Sequence, residues 1–149
     1  MELRSYIPEF KVELLGVWHA SVKMTHIFLS QEHFDEIHNI LCHFDFEQLQ
    51  VHCLFNEEER MVGFVGAHKH KLEMLFVHPQ FMGKGIGKHL LQFAVQELSC
   101  DKVDVNVQNT SAVAFYQRNG FIITSESEKD GMRFPYPLFQ MQLIKPSAG

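Results

Sequence analysis

A strand that empties through a glycine-rich turn into the start of a helix leaves a chain few folds to choose from. Residues 71–91 have that form: an apolar run, Met74 to Val77, is broken at Pro79, glycines follow at alternate positions (Gly83, Gly85, Gly87), and helical periodicity then begins. Glycine tolerates positive φ and lets a backbone come close to a ligand. The first N–H groups of a helix lack internal partners and point at whatever anion sits there. An ordinary strand–turn–helix corner needs one glycine rather than three, so the segment predicts a cradle for a phosphate-bearing ligand.

The commoner phosphate motifs do not fit. A Walker loop ends Gly-Lys-Ser/Thr, whereas Gly87-Lys88 is followed by His89. The dinucleotide fingerprint would extend Gly83-x-Gly85 to a glycine at position 88, which is Lys88. Gly-x-Gly-x-Gly after an apolar strand ending Val-His-Pro instead resembles the acetyl-CoA loop of the GNAT family of N-acetyltransferases. In that pattern Met82 stands where Gln or Arg is usual, Gly85 is the first glycine and Gly87 the second. Methionine removes a polar side chain but leaves the backbone N–H groups. The resemblance implies that Met82, Gly83, Lys84, Gly85, Ile86, Gly87 and Lys88 hold the pyrophosphate of acetyl-CoA, the co-substrate.

The order of elements agrees. Leu3–Ile7 reads as a strand stopped by Pro8, and Glu9–Lys23 has helical spacing at Phe10, Leu14, Val17, Trp18 and Val22. Ser30 is placed to cap a second helix with Phe34, Ile37, Leu41 and Phe44 on one face. Val51–Phe55 and Met61–Ala67 form a hairpin, and Lys71–Val77 follows through the polar tip His68-Lys69-His70. Gly87–Leu98 is helical, and Val103, Val105 and Val107 alternate as a strand. A helix capped by Asn109 ends at Asn119-Gly120, and Phe121–Thr124 and Phe139–Ile144 close the chain. The order β-α-α-β-β-β-α-β-α-β-β is similar to that of the GNAT fold. The expected class is therefore α/β (α+β): a mixed, mostly antiparallel sheet of about six or seven strands with helices on both faces. At 149 residues, one domain spanning 1–149 is expected.

Composition narrows the partners. A formal net charge of −5 argues against non-specific nucleic-acid binding. CoA is itself a polyanion, so its site must be locally positive, and Lys84 and Lys88 supply that charge. No apolar run approaches the ~20 residues that span a bilayer. The start Met-Glu-Leu-Arg-Ser-Tyr lacks the pattern of a signal peptide. Cys42, Cys53 and Cys100, odd in number and without a CxxC spacing, read as reduced and mostly buried thiols. The expectation is a cytoplasmic monomer or homodimer that uses neither a membrane nor a metal; His68 and His70 at a hairpin tip suggest solvated side chains rather than ligands.

A second block, residues 103–121, carries Asn109, Phe115, Tyr116, Gly120 and Phe121 in the GNAT order. On residues alone, Asn109 reads as an N-cap and Tyr116 as a core aromatic. The resemblance implies that Asn109 bonds the pantetheine arm, with Phe115 beside it, and that the Tyr116 hydroxyl serves the CoA sulfur. A leaving thiolate must be protonated or held by a donor, and a phenol of pKa ~10 does this without ionising at neutral pH. The strand containing Leu75, Phe76 and Val77 would pair its backbone with pantetheine, and one N–H there could polarise the thioester carbonyl.

The reaction so implied is acetyl transfer to a primary amine by direct attack in a ternary complex. Glu73 is the candidate base, with His26, His78 and solvent as competitors. The stretch 18–29 and the later Phe134-Pro135-Tyr136-Pro137-Leu138 resemble a bacterial subgroup of small GNAT enzymes, which suggests Trp18, His26 and Tyr136 for the acceptor pocket; core packing is the competing role for Trp18. A non-catalytic acyl-CoA-binding module is the alternative from a different class. Such a module would need the loop and Asn109 but neither Tyr116 nor a base.

Overall fold

The run Met61–Ala67 is buried throughout, as expected of a strand covered on both faces. It lies in β3 (Met61–His68) of a computed structural model that describes residues 1–129 and 134–144. The chain divides into two compact units, Met1–Cys100 and Asp101–Gly149. In the first, β1 (Glu2–Ser5), β2 (Gln50–Phe55), β3 and β4 (Lys71–Val77) pair antiparallel in that order. Three helices accompany them: α1 (Lys11–Thr25), α2 (Gln31–Cys42) and α3 (Ile86–Glu97). The first begins later than its apolar pattern suggests, because Pro8 sets a separate 3-10 turn over Pro8–Phe10.

Alternation of side chains across β3 divides the core. Leu14, Val17, Trp18 and Val22 of α1 and Phe34 of α2 cluster with Phe64 on one face. On the other face, Ile86 and Leu90 of α3 come down on Gly63. The Glu13 carboxylate fastens α1 to the sheet by accepting the Met61 N–H at 2.7 Å, beside a register shift at Leu54/Phe55. Ser30 caps α2 as predicted, its Oγ accepting the His33 N–H at 3.1 Å.

Gly63 sets how closely α3 approaches the sheet. A Cβ there would lie 2.8 Å from the Phe76 carbonyl oxygen and 3.0 Å from Leu90 Cδ1. The backbone oxygen cannot step aside as a flexible side chain could. Gly63→Ala is expected to cost about 1–3 kcal/mol through overpacking and to lower Tm by roughly 2–12 °C, read by scanning calorimetry. An unchanged Tm would mean that both the Phe76 carbonyl of β4 and Leu90 of α3 shift enough to admit the methyl group.

In the second unit, β5 (Lys102–Asn106), β6 (Phe121–Ser127) and β7 (Leu138–Leu143) form an antiparallel set ordered β5-β7-β6, with α4 (Thr110–Arg118) between β5 and β6 in sequence. Val103, Val105, Tyr116, Phe121 and Met141 are buried in it. Gly120 ends α4 with φ +93°. Seven strands and four α-helices among the described residues follow the predicted order.

The cysteines are free thiols, Cys53 and Cys100 buried and Cys42 exposed. Burial, with a smaller contribution from Glu13, pushes the Cys53 thiol up to about 12, which leaves it a poor nucleophile. No helix among the described residues is long and apolar enough to cross a membrane.

Candidate active site

The glycine loop has the geometry its sequence predicts, with one difference. Gly83 and Gly85 adopt φ of +78° and +77°, flanking Lys84. Gly87 instead lies inside α3, whose N-cap is Gly85. Two left-handed glycines therefore build the turn, while the third stands in the first helical turn. No side chain caps α3, and the N–H groups from Gly83 to Lys88 have no hydrogen-bond partner among the described residues. Such a row of free donors, at the positive end of a 12-residue helix, suits an anion.

Cations gather around this row. Lys84 and Lys88 are exposed, and Lys84 Nζ stands 5.6 Å from the Phe81 ring centroid. Arg60 also lies over Phe81, at 5.4 Å, and donates to Gln80 Oε1 at 2.9 Å. The sequence pattern marks neither Arg60 nor Phe81, because they are brought together by the hairpin and the 3-10 turn Pro79–Phe81.

Leu75, Phe76 and Val77 are half-buried on β4, opposite Val65, Phe64 and Gly63. Two positions earlier the register slips: Met74 faces Gly66 and Leu72 faces Ala67, which leaves Glu73 as the extra residue of a β-bulge. A bulge re-aims a side chain and bends its strand. Glu73 is exposed.

The two candidate histidines are wired differently. Below Val77, His78 Nδ1 accepts the Gln80 N–H at 3.2 Å, so the neutral ring carries its proton on Nε2. His26, half-buried at the C-cap of α1, has Nδ1 2.8 Å from Thr25 Oγ1. Burial lowers its pKa to about 4, so the ring is neutral at pH 7. Trp18, which the sequence suggests for the acceptor pocket or for core packing, is 4% exposed and stacks on Phe34 at 5.2 Å. The ring belongs to the core cluster of α1, α2 and the sheet.

In the second unit, Asn109 is buried and caps α4, its Oδ1 accepting the Ala112 N–H at 3.2 Å. Its amide N–H groups remain donors without a partner among the described residues. Tyr116 is buried, with its ring 5.1 Å from Phe115 and 5.6 Å from Phe121. Tyr136 is also buried, on the segment leading into β7.

Residues 22–143 match the family described as acetyltransferase (GNAT) domain. The chain is 34% identical over 134 residues to the peptidyl-lysine N-acetyltransferase YjaB of Salmonella typhimurium, covering 90% of each. The solution structure of apo YjaB from Escherichia coli matches with a TM-score of 0.86 at 31% identity, over 97% of this chain and 98% of that one. The PaiA N-acetyltransferase of Thermoplasma acidophilum, solved with coenzyme A, shares the fold at a TM-score of 0.68 and 22% identity, over 95% and 98%. The chain belongs to the GNAT family. It is an N-acetyltransferase that takes its acetyl group from acetyl-CoA and passes it to an amine. A non-catalytic acyl-CoA-binding module is not favoured beside relatives that are themselves named as enzymes.

Proposed function

We propose that the acceptor is the side-chain amine of a lysine in a protein or peptide. The observation that carries this is similarity along 90% of the chain to a relative named for peptidyl-lysine acetylation. A lysine amine is protonated at pH 7, and freeing its lone pair costs roughly 4–5 kcal/mol at a pKa of ~10.4. Glu73 takes that proton, directly or through one water. The Nζ lone pair then attacks the thioester carbon, the C–S bond breaks, and Tyr116 donates to the departing thiolate. Acetyl passes straight to nitrogen in a ternary complex. Backbone N–H groups from Gly83 to Lys88 hold the pyrophosphate, while Asn109 and the backbone of Leu75–Val77 hold pantetheine.

Thiol release from acetyl-CoA, measured with lysyl peptides beside polyamines, aminoglycosides and free amino acids, tests the acceptor. Lysyl peptides are expected to give the highest kcat/KM. In the same assay Glu73→Gln should abolish the acidic limb of the kcat/KM profile or move it towards the acceptor's own pKa, with partial recovery at high pH. A limb that survives this change but vanishes in His26→Ala would make His26 the base. A limb surviving both leaves solvent as the proton acceptor and approximation as the main source of rate.

A further inference from the structure

One hydroxyl fixes the protonation pattern of the His26 ring. Thr25 Oγ1 donates its single proton to the Ser21 carbonyl at 2.8 Å. It has none left to give His26 Nδ1, which lies 2.8 Å away, so at that contact the imidazole must be the donor. Nδ1 therefore bears the proton, and Nε2 of the neutral ring carries a lone pair. Nε2 has no hydrogen-bond partner among the described residues, and it is not sealed from solvent. Its surroundings suit a cation: His26 closes a 15-residue helix, whose C-terminal end is negative. The side chain of Lys23, in the last turn, is drawn aside over the Phe34 ring at 5.6 Å. His78 has the opposite pattern, with Nδ1 accepting and Nε2 protonated, so it presents a donor where His26 presents an acceptor.

We infer that Ser21 and Thr25 form a relay that locks His26 in the Nδ1–H tautomer, so that Nε2 accepts a hydrogen bond from the incoming acceptor amine. This rests on the acetyl-transfer reading above and adds to it a device for positioning the amine. His26 makes the contact, and Thr25 acts through His26 as a positioning residue. The low pKa of the buried ring supports the arrangement, because the lone pair stays available at neutral pH.

The tautomer is read directly from the imidazole 15N shifts of the full-length protein at neutral pH. The wild type should show a protonated Nδ1 and a bare Nε2 at His26. Thr25→Val keeps the shape but lacks the hydroxyl, so it should return the ring to a mixed population. The same variant should raise KM for a lysyl peptide about 10-fold, the low end of what one hydrogen bond to a charged group contributes, with kcat within about threefold. Thr25→Ser should restore both tautomer and KM. A wild-type ring protonated on Nε2 in an active enzyme would overturn this inference and leave the acetyl-transfer reading intact. So would a locked tautomer whose loss in Thr25→Val leaves KM unmoved. Absence of turnover with every amine would instead sink the acetyl-transfer reading, and the amine-facing role of His26 with it.

Discussion

Gly85→Asp is expected to weaken CoA binding by about 100-fold or more, while Gly85→Asn should lose far less. Both substitutions place a side chain at φ +77°, and the added Cβ meets no atom within 4 Å. Asparagine and aspartate are the non-glycine residues that best tolerate this left-handed region, so the two share a similar backbone cost. They differ by one negative charge beside the row of donors proposed for the pyrophosphate. At about 5 Å and an effective dielectric near 20, two like charges repel by roughly 3 kcal/mol, which is about two orders of magnitude in affinity. Isothermal titration of CoA into each variant separates charge from strain. Equal losses would assign the effect to backbone geometry, and unchanged binding in both would move the pyrophosphate off this loop.

The loop was legible because its information is local. A broken apolar run, alternate glycines and a helical period specify a strand, a turn and a helix start without reference to distant residues. Gly87 shows the limit of that reading, since spacing alone cannot separate a turn glycine from one in the first helical turn. The bulge at Glu73 was not legible at all. It arises from the pairing of β4 with β3, where Met74 meets Gly66 and Leu72 meets Ala67. Register is a property of two strands, and neither strand's sequence displays it alone.

The polar end of β6 is not visible in its own sequence for a related reason. Thr124–Ser127 has no apolar alternation, so the sequence suggests that the strand stops at Thr124. It continues because β7 offers Gln140, whose carbonyl oxygen accepts from Thr124 Oγ1 at 3.1 Å and whose side chain bonds Ser125 and Ser127 at 2.8 and 3.0 Å. The wiring of His26 is least visible of all. Thr-His at a helix end is an unremarkable dipeptide until the direction of one hydroxyl proton is known.

Tyr116→Phe should lower kcat by about 10- to 1000-fold, the range for losing one positioned acid or thiolate donor, while leaving the Kd for CoA nearly unchanged. Most of what Tyr116 contributes to packing should survive, because the ring contacts with Phe115 and Phe121 need only the aromatic body. What is lost is the phenolic oxygen. If that group protonates the departing CoA thiolate, its removal acts on the transition state far more than on the bound ground state, so kcat and kcat/KM should fall together. Single-turnover measurements at saturating acetyl-CoA and lysyl peptide isolate the chemical step from product release. Thioester co-substrates with more acidic thiols provide a second arm. A better leaving group needs less help from a donor, so the deficit of Tyr116→Phe should shrink as thiol acidity rises. A deficit that stays constant across leaving groups would place the hydroxyl's contribution before C–S cleavage, and an undiminished single-turnover rate would leave Tyr116 a packing residue of α4.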